Sequence, residues 1–136
     1  MKRLLSMVAG LLVVMACDAP QEPRYASDAE RIADIWYLEY TRSLLSGTIS
    51  MPDSADTEHR IVFSKDGYLT WYDDLLWAFY RSQYSLGMMP TVFHSDSVPV
   101  VYLDTLLAFE YTFFGDDTLV LTDNDLGGYE RSFTRR

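Results

Sequence analysis

Residues 108–134 read AFEYTFFGDDTLVLTDNDLGGYERSFT, and this stretch decides the fold class. Residues 108–114 and 118–122 are rich in aromatic, aliphatic and threonine side chains, and the turn residues GDD stand between them, which predicts a β-hairpin. A second turn, DNDLGG at 123–128, leads into a further strand at 129–134. Three consecutive strands that are joined by short turns predict an antiparallel meander.

A second hairpin is predicted closer to the N-terminus. The stretch RIVF at 60–63 is followed by the turn SKDG at 64–67 and by YLTWY at 68–72. Gly67 suits this turn because glycine adopts a positive φ without steric cost. The chain therefore repeats the pattern of short strands and tight turns that is typical of all-β domains.

The start of the folded region is predicted to be a short helix followed by the first strand. Ser27 is a suitable N-cap for a helix that begins at Asp28 and ends near Asp34. From residue 36 to residue 41 the side chains alternate with a period of two, as expected for a strand with one buried face. Residues 46–57 are rich in Gly, Pro, Ser and Asp and are predicted to form a loop.

The middle of the chain has two interpretations. Residues 75–86, LLWAFYRSQYSL, fit either a strand rich in aromatic residues or a helix that is capped by Asp74 and ends at Gly87. Residues 88–99 are predicted to form a long loop with room for a short edge strand. Residues 100–104, VVYLD, are predicted to form a strand.

The N-terminal residues 1–16 have the features of a cleaved signal peptide. Lys2 and Arg3 precede an apolar run at residues 4–16, which is shorter than the ~20 residues that a membrane-spanning helix needs. Directly after this run stands Cys17, the only cysteine of the chain. The alternative is an ordinary secretory signal followed by an incidental free thiol.

The sequence around Cys17 resembles the lipobox of bacterial lipoproteins. Val14, Ala16 and Cys17 match its pattern, and Met15 occupies its tolerant position. The resemblance implies a diacylglyceryl group on the Cys17 thiol, cleavage before Cys17 and an acyl chain such as palmitate on the new amine. It implies a location in the bacterial cell envelope, anchored to the inner or outer membrane. Once Cys17 is lipidated, no cysteine remains for a disulfide, a thiolate metal site or a nucleophile.

The composition predicts one acidic domain on a tether. Residues 17–27 contain two prolines and few apolar residues, so we expect a flexible tether before a domain that spans residues 28–136. Loss of Lys2 and Arg3 with the signal would change the formal net charge from −9 to −11. Such acidity excludes a nucleic-acid interface and disfavours contact with anionic headgroups. The protein partner and the oligomeric state are not predicted.

Three stretches resemble the small lipocalin-like domains of bacterial lipoproteins. They are IWYL at 35–38, IVFSKDGYLT at 61–70 and the segment from residue 111 to residue 135. Asp34 departs from the family, which has a glycine two residues before the tryptophan. The resemblance implies an all-β, antiparallel up-and-down barrel, closed or partly open. In such a barrel the first and last strands meet, which places Trp36 near Arg131 or Arg135.

The aromatic residues, 7 Phe, 10 Tyr and 3 Trp, are the candidates for the lining of the barrel. One alternating set is predicted to point inward: Trp36, Leu38, Tyr40, Phe63, Leu69, Trp71, Phe109, Tyr111 and Phe113. Its aromatic members Trp36, Tyr40, Phe63, Trp71, Phe109, Tyr111 and Phe113 are the candidate ligand-lining residues for a small apolar or amphipathic molecule. The alternative is a core that these side chains fill completely.

No motif for catalysis, a cofactor or a metal is complete. His59 and His94, with Asp56 or Glu58, lack the spacing of a metal site. The turn at 123–127 resembles the start of a calcium loop but lacks the distal glutamate, so a hairpin turn is predicted. The acidic pairs at 73–74 and 116–117 are predicted to be solvated turn residues. We therefore expect no enzyme activity and no cofactor, and we predict either a ligand-binding module or a membrane-tethered interaction protein.

Overall fold

A computed structural model of the chain describes residue 25 and residues 27–52, 59–73 and 78–136. The predicted signal peptide, Cys17 and most of the tether lie outside the described residues, as do Asp56, Glu58, Asp74 and residues 75–77. The described part contains α1 (Asp28–Ile32), β1 (Ile35–Ser43), β2 (Ile49–Ser50), β3 (Arg60–Phe63), β4 (Tyr68–Asp73), β5 (Ala78–Met89), β6 (Val98–Leu103), β7 (Leu106–Phe114), β8 (Thr118–Asp123) and β9 (Tyr129–Thr134).

The strands form a closed, antiparallel barrel. Each strand from β3 to β8 pairs with the next one along the chain, and β1 pairs with both β3 and β9. Eight strands therefore close the barrel, while the short strand β2 pairs with the second half of β1. This arrangement confirms the predicted lipocalin-like all-β class, its up-and-down topology and its short N-terminal helix.

The three predicted hairpins are present. Strands β3 and β4 flank the turn at 64–67, in which Gly67 has a φ of 87°. Strands β7 and β8 flank the turn at 115–117, and β8 and β9 flank the turn at 123–128. Local turn chemistry thus sets the register of these pairs, as short hairpin loops do in general.

The middle of the chain contains more strand than predicted. Residues 78–86 belong to a strand, which continues to Met89 and therefore enters the predicted loop. Val98 opposes Met89, so the hairpin arms extend beyond the predicted ends and leave a loop at 90–97. Residue 104 was predicted to be in a strand, but Asp104 occupies a tight turn with a φ of 54°. Within the predicted loop 46–57, Ile49–Ser50 pairs with β1.

A β-bulge in β1 changes which face its side chains occupy. Leu38 opposes Phe133 and Tyr40 opposes Ser132, so Glu39 is an extra residue without a counterpart on β9. Because side chains alternate with a period of two, one extra residue moves every later side chain to the other face. The prediction that Tyr40 points into the barrel is therefore wrong, since Tyr40 lies on the outer face with Ser132.

The barrel interior holds the hydrophobic core. Its fully buried members come from the helix and from most strands: Ile32, Trp36, Ile61, Phe63, Leu69, Val101, Leu119, Leu121 and Phe133. Trp71, Phe109 and Phe113 are half-buried and pack against this cluster. Among the residues that the structure describes, no helix is long and apolar enough to cross a membrane.

Candidate functional site

Four of the predicted ligand-lining side chains make ring contacts inside the barrel: Trp71 with Phe109, and Trp36 with Phe113. The Trp71 ring on β4 lies 5.9 Å from the Phe133 ring on β9 and 6.2 Å from the Phe109 ring on β7. Trp36 on β1 lies 6.1 Å from Phe113 on β7. None of these strand pairs is adjacent in the barrel, so the contacts cross its interior. At these levels the interior is occupied by the side chains of the protein itself.

Another two of these residues, Phe63 and Tyr111, also pack against side chains of the same chain. Phe63 packs edge-to-face on Tyr84 at 5.0 Å between ring centroids, and Tyr111 packs on Phe113 at 5.7 Å. The Tyr111 hydroxyl donates a hydrogen bond of 2.9 Å to Oδ2 of Asp28 on the helix. Burial, together with the carboxylate of Asp28, raises the pKa of the Tyr111 phenol above its usual range. Tyr111 is therefore a neutral donor that fixes the helix.

The helix closes one end of the barrel. Ile32 is fully buried there, and its carbonyl oxygen accepts a hydrogen bond of 2.8 Å from the indole Nε1 of Trp36. The Arg31 guanidinium lies 4.2 Å from the Phe113 ring centroid and donates a hydrogen bond to the carbonyl oxygen of Gly115. These contacts join the helix to β1 and to the turn between β7 and β8.

Arg135 completes this closed end. Its guanidinium carbon lies 4.2 Å from the Trp36 ring centroid, which confirms the predicted meeting of Trp36 with a C-terminal arginine. The same side chain is 7% exposed and forms an ion pair of 2.9 Å with Asp34. It also donates a hydrogen bond of 2.6 Å to the Tyr25 hydroxyl. Asp34, two residues before Trp36, thus supplies the carboxylate that pairs with Arg135.

At the opposite end, the carboxylate that opens the predicted hairpin turn at 123–128 already has partners within the protein. Oδ1 of Asp123 forms a 2.5 Å ion pair with Arg131, and Oδ2 accepts a hydrogen bond of 2.9 Å from the amide of Tyr129. Arg131 also lies 5.4 Å from the Trp71 ring centroid. The turn at 123–128 is a hairpin turn whose first side chain anchors the next strand.

The two histidines do not come together as ligands of one ion. Nδ1 of His94 lies 3.0 Å from Oε2 of Glu110, while the His59 carbonyl oxygen accepts a hydrogen bond from the Leu38 amide on β1. Within residues 27–52, 59–73 and 78–136, no three His, Cys, Asp or Glu side chains are placed to hold a metal. The predicted partners Asp56 and Glu58 lie outside these ranges.

The outer face carries a groove that the sequence did not predict, which we call the outer groove. It has a volume of about 520 Å³ and follows the outer faces of β7, β8, β9 and β1, with the loop at 90–97 forming one wall. Its lining comprises Tyr40, Arg42, Leu44, Phe93, His94, Glu110, Thr112, Phe114, Val120, Thr122 and Glu130. Most of these side chains are polar, and only Tyr40 and His94 among them were candidate site residues in the sequence analysis.

Glu110 attaches the loop at 90–97 to the outer face. Its Oε2 accepts hydrogen bonds from Oγ1 of Thr91 at 3.1 Å and from His94. A further bond of 2.8 Å runs from the Val92 amide to Oδ1 of Asn124. These bonds attach the loop to the barrel, and Phe93 and His94 of this loop form one wall of the outer groove.

Two rows of side chains cross the floor of the outer groove. In the first row, Glu110, Thr122, Glu130 and Arg42 are successive register partners on β7, β8, β9 and β1. In the second row, Thr112, Val120, Ser132 and Tyr40 are successive partners on the same strands. The first row is charged and the second is neutral. The bulge at Glu39 creates this arrangement because it brings Tyr40 and Arg42 to the outer face.

Comparisons with known proteins found no family model, no curated protein and no solved structure that matches this chain.

Proposed function

We propose that this protein is a lipid-anchored domain of the bacterial cell envelope that binds its partner or ligand on the outer surface of the barrel. In this role the barrel is a rigid scaffold with a filled interior, and it performs no catalysis. The observation that carries the proposal is the contact of Trp71 with Phe109 and Phe133 across the interior.

The packing of the interior supports a scaffold role for the barrel more than ligand binding inside it. Small barrels of eight strands have an interior that side chains alone can fill. Here the candidate lining residues other than Tyr40 contact other parts of the protein, and Trp36 and Phe63 are at most 1% exposed. A ligand at these levels would have to displace rings that already pack on one another, which makes the outer groove the better supported binding surface.

The lipobox supports the anchor, and the fold indicates which end of the barrel the anchor would face. The helix at Asp28–Ile32 lies at the closed end, next to Arg135 and the turn at 115–117. A tether from Cys17 to Ser27 could reach at most ~40 Å when fully extended. In a lipidated chain the closed end would therefore be the nearer one to the bilayer, and the outer groove would lie along the side of the barrel.

Metabolic labelling with a fatty acid tests the anchor. We expect wild-type protein expressed in a bacterial host to incorporate labelled palmitate and the Cys17→Ser variant to incorporate none. The matched control is the double variant Cys17→Ser with Ser27→Cys, which keeps one thiol but moves it away from the lipobox. Label in Cys17→Ser, or equal label in the double variant, would contradict lipidation at Cys17.

Titration with an apolar fluorescent dye tests the filled interior. We expect no saturable dye binding inside the wild-type barrel, whereas Trp71→Ala should gain binding because it removes a ring that fills the centre. The opposite pattern would be saturable binding to wild-type protein that Trp71→Ala or Tyr111→Ala weakens. That result would replace the scaffold with the alternative function, uptake of a small apolar or amphipathic ligand by the interior.

A further inference from the structure

Two carboxylates of the outer groove are incompletely used by the protein. The side chains of Glu110 and Glu130 are 14% and 18% exposed. The contacts of Glu110 and Glu130 with Thr91, His94 and Arg42 all involve Oε2. Within the described residues, Oε1 of each carboxylate accepts no hydrogen bond. Each of these two glutamates therefore retains acceptor capacity in a largely desolvated position, where a charged donor binds most strongly.

The spacing of these carboxylates suits a ligand between them. Glu110 and Glu130 stand on either side of Thr122 in the first row, one strand away in each direction. Neighbouring strands lie ~4.8 Å apart, so the two backbone positions are separated by about 10 Å. An ammonium group above Thr122 could thus donate hydrogen bonds to both glutamates, or to one glutamate and the Thr122 hydroxyl oxygen.

The charge of the site favours a cation. Glu110 and Glu130 face one permanent positive charge, Arg42, which already pairs with Glu130 at 2.7 Å. With histidine counted as neutral throughout, the two glutamates and Arg42 give the outer groove a formal charge of −1, and the whole chain has a formal charge of −9. An acidic protein attracts cations and repels anions, and this site has no unpaired arginine with which to hold a carboxylate or phosphate.

The second row and the loop provide apolar contact for the remainder of such a ligand. Val120 is 8% exposed at the floor, and Phe93 and Phe114 are 37% and 61% exposed. Aromatic faces also attract cations directly. The volume of about 520 Å³ lies in the range of small-molecule sites. A bare metal ion fits less well because the two glutamates are on different strands with a third strand between them.

We propose that the outer groove binds a small organic ammonium ion that has an apolar body. The ammonium group lies over Thr122 between Glu110 and Glu130, and the apolar body lies along Val120 and toward Phe114. This inference rests on the proposed function only in its choice of the outer surface, and it does not depend on lipidation.

Isothermal titration of the full chain with 2-phenylethylammonium tests the proposal. Two analogues with the same ring serve as matched ligands: neutral 2-phenylethanol and anionic 3-phenylpropanoate. We expect saturable binding of the ammonium with one site per chain. The two analogues should bind at least about tenfold more weakly, a factor that corresponds to ~1.4 kcal/mol. Equal or tighter binding of the neutral or anionic analogue would overturn the proposal.

Variants assign the binding to the outer groove. Glu130→Gln should weaken ammonium binding by about tenfold, because it removes one charged acceptor. Arg42→Gln should strengthen ammonium binding about two- to fivefold, because the Arg42 guanidinium competes with the ligand for Glu130. The expected gain is small because an exposed ion pair contributes little free energy. Asp104→Asn is the control, since it removes one negative charge at an exposed turn and keeps a residue that tolerates positive φ.

The two main variants are predicted to change affinity in opposite directions, which general destabilisation would not produce. Circular dichroism of each variant confirms that the barrel is intact before titration. If Glu130→Gln and Asp104→Asn weaken binding equally, the ammonium senses only the net charge and the assigned site is wrong. The proposed function has separate tests, because fatty-acid labelling and the apolar dye report on the anchor and on the interior.

Discussion

Replacement of Trp36 by alanine should remove much of the stability of the domain. Trp36 is fully buried, donates a hydrogen bond of 2.8 Å to Ile32 and supports Arg135 at 4.2 Å from its ring. Truncation of a buried tryptophan to alanine costs ~3–5 kcal/mol through the cavity it leaves. We expect the upper part of this range, because the hydrogen bond contributes ~1 kcal/mol and the cation–π contact ~0.5–2 kcal/mol.

The measurement is urea unfolding followed by far-UV circular dichroism, which does not depend on tryptophan fluorescence. A loss of ~4 kcal/mol is a large part of the ~5–15 kcal/mol that stabilises a typical domain. It should lower the midpoint of thermal unfolding by roughly 15–30 °C. Trp36→Phe keeps an aromatic ring but loses the donor, so it should be destabilised less than Trp36→Ala.

Phe114→Ala is the matched control for this experiment. It also truncates an aromatic side chain near the closed end, but Phe114 is 61% exposed and lies outside the core. We expect a change within about 1 kcal/mol of wild type, as for most surface substitutions. If Trp36→Ala unfolds with the same free energy as Phe114→Ala, Trp36 does not hold the closed end together and our account of barrel closure fails.

Three further substitutions test separate parts of the structure. Above pH 10.0, the ordinary pKa of tyrosine, unfolded Tyr111 ionises while folded Tyr111 keeps its proton, so the free energy of unfolding should fall as the pH rises. In urea unfolding at pH 9 and pH 11, Tyr111→Phe should lose less of its free energy of unfolding than the wild type does. Gly128→Ala should destabilise the domain by ~1–3 kcal/mol, because the new Cβ would lie 2.5 Å from Cβ of Asp123. In the control Gly127→Ala the nearest atom to the new Cβ is 3.7 Å away, so this variant should be nearly neutral in thermal melts. Leu119→Ala should cost ~2–5 kcal/mol in urea unfolding, since Leu119 is fully buried in the core, and a cost under 1 kcal/mol would contradict its placement.

Local signals in the sequence were sufficient for the hairpins and for the barrel class. The turns at 64–67 and 115–117 combine glycine with polar residues, and stretches rich in β-branched and aromatic residues flank both. The meeting of Trp36 with Arg135 was predicted from the family resemblance, and the ring contact confirms it. In these regions each short segment specifies its own strands and turn. Contacts with distant parts of the chain therefore stabilise the hairpins without changing where their strands and turns lie.

The outer groove could not be predicted because it depends on two features without a local signal. A bulge at Glu39 needs an unpaired residue against β9, and no glycine or proline marks the position in IWYLEYTRS. The loop at 90–97 folds back onto Glu110, which lies more than a dozen residues away along the chain. Glu110 and Glu130 stand at polar positions of their strands, and no local pattern indicates that a loop would partly cover them.

The closure of the barrel by its first and last strands has a consequence for the order of folding. Strands β4 to β9 can each pair with a neighbour that directly precedes them in the chain, but β1 must wait for β9. Asp34 and Arg135, which pair at the closed end, are 101 residues apart. Contacts between distant parts of a chain form slowly because a long loop must be closed first. During synthesis the ribosome therefore releases Trp36 long before Arg135, and one edge of β1 must remain unpaired until β9 has been made.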